Sequence, residues 1–335
     1  MKISRLNLIA IIFGLNIPFV ACTESGPLSG HVDETTETIS QIPEKAYVLA
    51  EQSRRAIIIR DAVTQQNVWE WEPYTACVPS SSQDLFNNPS EVKPVYNNRY
   101  ILMTASGGAV ALIRISDHKL MFYADCGKNP HSAEILPDGN IVTAESSSGE
   151  INTFVVDTIN VVGSKANTVK LGNAHNVVWD KKREYLYATA TITSGTAALF
   201  RFKYDNSNPD SPKLTNQTRI YTFDKESGAH DLFPVYGETD KLWLTAASAV
   251  YQFDLTTDTP TCTKIYDLGD IKSICNGPDG ILMLKPEVEW WAEGLVDENC
   301  NSLFNMSGSK IYKGRWMINN TFSYPEQHDF VLGEN

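Results

Sequence analysis

The feature that most restricts this chain is a strand pattern that recurs about every 48 residues from Ala46 to the end. Residues 130–157 (PHSAEILPDGNIVTAESSSGEINTFVVD), 174–205 and 229–255 each begin at or beside a histidine. Each then runs through a short apolar strand, a polar turn, a strong strand, a small-residue turn and a strand with an outgoing Asp. Weaker copies cover 271–286, 92–125 and 46–72. The individual runs, such as AYVLAE, AIIIRD and KLWLTAA, are bounded by Gly, Asn, Asp and Pro turns, which is the signature of short strands. No long amphipathic helix is evident. Four strands in about 40–50 residues is one propeller blade, so six copies predict an all-β, six-bladed β-propeller.

The copy at 46–72 lacks its first strand. Propellers close by pairing N- and C-terminal strands in one blade, which removes exposed edges. The segment EQHDFVL (326–332) resembles the blade opener AHDLF (229–233), so residues 328–332 are expected to supply the inner strand of the first blade. The histidines share this phase: His131, His175, His230 and His328 follow one another at roughly 44, 55 and 98 positions, the last being about two repeats. The blade between the last two has Lys272-Ser273 at the equivalent place.

The N-terminus reads differently. Lys2 and Arg5 precede an uncharged, mostly apolar stretch, LNLIAIIFGLNIPFVA, which reads as a secretory signal and is too interrupted for a membrane span. Phe19-Val20-Ala21-Cys22 resembles a lipobox, with Cys22 as the lipidated mature N-terminus. The expected organisation is a lipoprotein signal peptide over 1–21, a flexible tether rich in Ser, Thr, Glu, Gly and Pro over 22–45, and the propeller over 46–335. The expected location is the bacterial cell envelope, lipid-anchored, periplasmic or on the outer surface.

With 42% hydrophobic residues the chain is not disordered, and a formal charge of -12 argues against a nucleic-acid partner. A monomer is expected. Six cysteines are too few for a disulfide scaffold, and their spacing suggests no zinc site.

The motifs resemble a known family. They are Val92-Lys93-Pro94-Val95, His131-Ser132-Ala133-Glu134 with its Pro137-Asp138-Gly139 turn, and Ala174 through Asp180. With them stand Gly228-Ala229-His230-Asp231-Leu232, Trp290-Trp291 and Tyr312-Lys313-Gly314-Arg315-Trp316. The chain is similar to a family of secreted bacterial six-bladed β-propellers catalogued as a domain of unknown function. The resemblance spans nearly the whole mature body and implies the fold; it implies little about activity.

In a propeller the first strand of each blade lines the central channel, so His131, His175 and His230 are expected to converge at one mouth. Three readings follow. Neutral imidazoles on rigid strands can bind a divalent transition metal. A polar ring can bind a ligand. A histidine can also lock each blade to its neighbour's backbone. Adjacent strand residues face opposite ways, so Asp231 is expected to point away from His230. Lys93, Lys313 and Arg315 are expected to join a basic ring that attracts carboxylate or sulfate groups, the alternative being solvated surface charge. Of the adjacent Trp290 and Trp291 only one can be core, and Trp291 is the candidate for stacking on a sugar. Trp69 and Trp71 share a face and are expected to pack between blades.

No nucleophile elbow, zinc-protease or phosphate-loop motif is present. The leading expectation is a lipid-anchored extracytoplasmic propeller that binds a ligand, an acidic glycan, at the channel mouth. The alternatives are a metal-dependent polysaccharide lyase or hydrolase using the three histidines, and a scaffold for another envelope protein.

Overall fold

The computed structural model describes residues 42–76, 78–192 and 195–323. The proposed signal, Cys22 and most of the tether lie outside the described residues, as do Cys77, His328 and the 328–332 segment.

Among the described residues, twenty-four strands form six four-stranded antiparallel sheets. The first sheet contains β1 (Ala46–Glu51), β2 (Ala56–Asp61) and β3 (Asn67–Trp71). The second is β4 (Pro89–Val95), β5 (Tyr100–Ala105), β6 (Ala109–Arg114) and β7 (Leu120–Asp125). The third is β8 (Pro130–Ile135), β9 (Ile141–Glu145), β10 (Glu150–Phe154) and β11 (Lys165–Lys170). The fourth is β12 (Asn176–Asp180), β13 (Tyr185–Thr191), β14 (Ala197–Asp205) and β15 (Lys213–Thr222). The fifth is β16 (Ala229–Pro234), β17 (Lys241–Ala246), β18 (Val250–Asp254) and β19 (Thr261–Tyr266). The sixth is β20 (Ser273–Gly277), β21 (Gly280–Leu284), β22 (Gly294–Val296) and β23 (Ser302–Asn305). The last strand, β24 (Ile311–Trp316), pairs with β1 and completes the first sheet in the order β24-β1-β2-β3. The six leading strands touch in sequence, β4 to β8 to β12 to β16 to β20 to β24 and back to β4, so the sheets are the blades of a closed six-bladed propeller.

The ring is therefore closed by the C-terminal strand in the first blade, but the strand is Ile311–Trp316 and not 328–332. The run KIYKGRWM is not an extra strand of the sixth blade; it fills the inner place that the first copy lacks. This places Lys313 and Arg315 in the first blade.

Period-2 alternation sends the side chains of one strand to the two neighbouring blade interfaces. In β1, Ala46, Val48 and Ala50 pack toward the second blade, while Tyr47 and Leu49 pack toward the sixth. Both faces of each blade are covered, so strands read as continuous buried runs, as in β1, β4 and β5. Six apolar clusters fill the six blade interfaces. Trp69 and Trp71 lie in the cluster between the first two blades, as their shared face predicts.

Candidate functional site

Two local devices build the site, and both recur around the ring. The first is a left-handed turn residue two positions before each histidine. Asn88 (φ 56), Asn129 (φ 58), Asn173 (φ 51), Gly228 (φ 66) and Asp270 (φ 60) occupy it in blades two to six. Asn, Asp and Gly are the residues that tolerate this conformation. The second is a β-bulge at the histidine position itself. In β4 the register pairs Pro89 with Ala105 and Glu91 with Thr104, skipping Ser90. The same skip falls on His131 in β8, His230 in β16 and Tyr312 in β24. In blade four the His175 amide bonds the Thr189 carbonyl although Asn176 is already the partner of Thr189; Lys272 and Ser273 share Leu284 in the same way.

A bulged residue is left unpaired and its side chain is re-aimed. Ser90, His131, His175, His230, Lys272 and Tyr312 thus stand at one level of the six inner strands. All but Ser90 line a cavity of about 370 Å³ at the channel mouth. Gln52, Asn88, Ser106, Asn129 and Trp290 complete its wall, so every blade contributes.

The three predicted histidines are brought together. The His131 and His175 rings stack with centroids 4.7 Å apart and planes 8° from parallel; His230 meets His175 edge-on at 5.9 Å. Imidazole lone pairs lie in the ring planes. Two parallel stacked rings aim theirs along parallel planes that do not converge on one ion, which needs nitrogens at about 2.0–2.1 Å. In this arrangement His131, His175 and His230 do not point at one common centre. No group of three His, Cys, Asp or Glu side chains among the described residues is arranged to hold a metal ion.

Among the described residues none of the three imidazoles bonds a neighbouring blade's backbone. Their partners are side chains or their own turn: the Tyr312 hydroxyl on His131 Nδ1 at 3.2 Å, the Asn173 carbonyl on His175 Nδ1 at 3.2 Å, and Lys272 Nζ on His230 Nε2 at 3.1 Å. Locking falls mainly to the next residue along. Val177 N donates to Ser132 Oγ at 3.4 Å, and Asn176 Nδ2 donates to the Ala229 carbonyl at 2.8 Å. Ile274 N donates to Asp231 Oδ2 at 2.9 Å, and Gly314 N donates to Ser273 Oγ at 3.1 Å. Each bond joins one blade to the next.

A family model described as a family of unknown function (DUF6528) matches residues 2–334. The chain belongs to this family. A search of curated proteins returns no match. Among solved structures, a chain of a nidogen/laminin complex aligns at a TM-score of 0.55 and 10% identity, covering 82% of this chain and 98% of that one. A protein of unknown function from Bacteroides caccae aligns at 0.52 and 12%, covering 81% and 98%. Hydrazine synthase from Kuenenia stuttgartiensis aligns at 0.50 and 13%, covering 69% and 68%. At these identities the likeness concerns the fold alone.

Beneath the cavity of this DUF6528 protein the channel is filled by charge. Arg315 forms a two-pronged pair with Asp231 (2.5 and 2.6 Å) and reaches Glu91 at 3.0 Å, with its guanidinium over the Phe233 ring at 4.0 Å. Lys313 Nζ contacts Glu91 and Asp231 at 3.2 Å each and the His131 carbonyl at 3.3 Å. Lys93 pairs with Glu134 at 3.3 Å and donates to the Val177 carbonyl at 3.0 Å. All six groups are buried. Lys93, Lys313 and Arg315 are thus neither a ligand-attracting ring nor surface charges. They are half of a neutral plug, because Glu91, Glu134 and Asp231 match them in number. The bulge also corrects the expected orientation of Asp231: it joins this plug directly below the ring that holds His230.

Burial pushes Asp231 upward, but Arg315 and Lys313 outweigh it and hold the carboxyl well below its usual range; Glu91 is held down the same way. Glu134, with Lys93 as its cation, stays raised by burial.

Above the plug, burial drives the imidazoles toward neutrality. His175 is lowered to about 4 and His230 to about 3, where Lys272 adds repulsion; His131 falls well below its usual value through burial and the neighbouring His175. The Asn173 carbonyl only accepts, so His175 carries its proton on Nδ1 and Nε2 is an acceptor. Burial likewise lowers the Lys272 ammonium. Among the described residues no carboxylate lies within ion-pair distance of it.

These shifts predict a pH dependence. Unfolded imidazoles take up protons near about 6.5, whereas folded His175 does so only near about 4. The unfolded state therefore binds more protons across this window, and stability is expected to fall as pH drops from about 6.5 to about 4. Thermal unfolding at stepped pH checks this. A His175→Gln variant should show a shallower fall, and an unchanged slope would remove the assignment.

Trp291 is not in the cavity; the Lys310 ammonium lies 5.1 Å from its ring centroid. Trp290 takes the place predicted for it. The loop after β21 turns at Val288–Trp291, crosses back to β24 through paired amides of Ala292 and Ile311, and leaves Trp290 46% exposed. Trp290 Nε1 donates to Gln52 Oε1 at 3.0 Å, which fixes the indole at the rim.

Tyr312 and the asparagines were missed in the sequence. A visible signal existed: Asn-Pro-Ser (88–90), Asn-Pro-His (129–131), Asn-Ala-His (173–175), Gly-Ala-His (228–230) and Asp-Ile-Lys (270–272) all place a turn former two before the ring residue.

Proposed function

We propose that this protein is a lipid-anchored, extracytoplasmic propeller that binds an acidic saccharide in the histidine-ringed cavity. The observation that carries this is the composition of the wall. It presents one ammonium, Lys272, which feels the charge of Asp270 but among the described residues has no carboxylate within ion-pair distance, in a chain of formal charge -12. A cation without a salt-bridge partner in a partly enclosed site favours an anionic group. Around it stand neutral imidazoles, the Tyr312 phenol and the amides of Gln52, Asn88 and Asn129, a mixed donor and acceptor set suited to hydroxyls. The half-exposed Trp290 indole supplies an apolar face at the rim, of the kind on which a sugar ring packs.

Calorimetry with purified protein tests the reading. Hexuronates and their oligomers should bind saturably, and the neutral hexoses of the same stereochemistry more weakly. Equal affinity for neutral and acidic sugars, or none for either, would remove it.

The anchor rests on the lipobox at Phe19–Cys22. Acyl chains contribute about 0.8 kcal/mol per buried CH₂, so a multiply acylated Cys22 would hold the protein firmly at a membrane. Replacing Cys22 with alanine is expected to move the protein from the membrane pellet to the soluble fraction. Processed variant remaining in the pellet would contradict the anchor.

A further inference from the structure

We infer that the cavity receives the end of an acidic saccharide chain, and not an internal stretch of a polymer. The inference rests on the acidic-saccharide reading above and concerns how that ligand enters. A tunnel or a through-cleft can hold the middle of a chain, because the chain can leave on the far side. This site offers no far side. Its floor is the charge plug: Lys313 reaches up to the His131 carbonyl at 3.3 Å, and Lys313, Arg315, Glu91 and Asp231 have no exposed surface. Among the described residues, these four fill the channel at that level. Residues of all six blades line the cavity, from Asn88 on the second to Lys272 on the sixth. Closed below and lined by every blade, the site has the form of a cup.

Its size agrees. A cavity of about 150 Å³ accommodates benzene, so 370 Å³ takes one pyranose ring with its carboxylate and hydroxyls and part of a second. Lys272 on the wall would pair with the carboxylate of the terminal residue. Trp290 at the rim would meet the ring that is leaving the cup.

The test is calorimetric titration of the full-length protein with galacturonate and glucuronate oligomers of increasing length, and with the same oligomers blocked at one end or at both by a bulky group. Affinity is expected to level off after about two residues, with less than about a threefold change beyond. Blocking one particular end should weaken binding at least about tenfold, while blocking the other changes it little. Affinity that climbs steadily with length, or binding unchanged when both ends are blocked, would overturn end recognition while leaving the acidic-saccharide reading in place. Failure of every acidic oligomer to bind would overturn both.

Discussion

An Arg315→Met variant is expected to lose about 3–5 kcal/mol of unfolding free energy, read as a lower denaturation midpoint at unchanged m-value. Arg315 comes from the last strand and binds Asp231 of the fifth blade and Glu91 of the second. Its loss leaves two carboxylates around a single ammonium, Lys313, in a channel that water does not reach. An uncompensated buried charge accounts for the cost. The sign of the pH dependence separates this cause from lost packing. In the wild type, Asp231 and Glu91 are held below their usual values, so their contribution is present above about pH 4 and is lost only in strong acid. Without Arg315, burial would dominate and one carboxyl would take a proton more easily. The deficit of the variant should therefore shrink as pH falls, whereas a packing defect would persist. Adding Asp231→Leu to Arg315→Met leaves Glu91 with Lys313 as a balanced pair. The double variant should then lose less than the sum of the two single changes.

Lys272→Met is expected to lower affinity for an acidic saccharide about 10- to 100-fold, because a hydrogen bond to a charged group contributes about 1.5–3 kcal/mol. Met keeps most of the stem, so packing beneath the cavity persists. The variant also removes the donor to His230 Nε2, but that nitrogen faces a cavity where water can replace it. Stability should change by less than about 1 kcal/mol. Lost stability together with unchanged affinity would assign Lys272 to the framework and end its role as the anion partner. The Arg315 and Lys272 variants are thus expected to separate the two layers of the channel: the first should cost stability and the second affinity.

The repeat was readable because each blade solves one packing problem with one pattern. AYVLAE, AIIIRD and KLWLTA are strands with nearly the bounds their composition suggests. The histidine phase was readable too, as was Lys272 standing in for a histidine. Ring closure was readable in kind but not in place. EQHDFVL resembles an opener by sequence, yet Ile311–Trp316 takes the inner position, with Gly314 packed closely against Leu295. A Cβ there would meet Leu295 side-chain atoms at 2.7 and 2.9 Å. The channel charges were misread because strict alternation separates position i from i+1. A bulge breaks that alternation at His230, so Asp231 belongs to the plug while His230 opens into the cup. Long-range pairing decides Lys93, Lys313 and Arg315: their carboxylate partners are 41 to 224 positions away and nothing local announces them. Between Trp290 and Trp291 the choice depends on a loop that crosses between blades, which pattern alone does not orient.

The cup, with its three imidazoles and Lys272, is the proposed place where this protein meets its ligand. Side-chain NMR of the imidazoles during titration with a hexuronate oligomer tests it most directly. The predicted result is saturable shifts of His131, His175 and His230 that share one dissociation constant and weaken in Lys272→Met. Binding detected by calorimetry while all three imidazole signals stay fixed would contradict it.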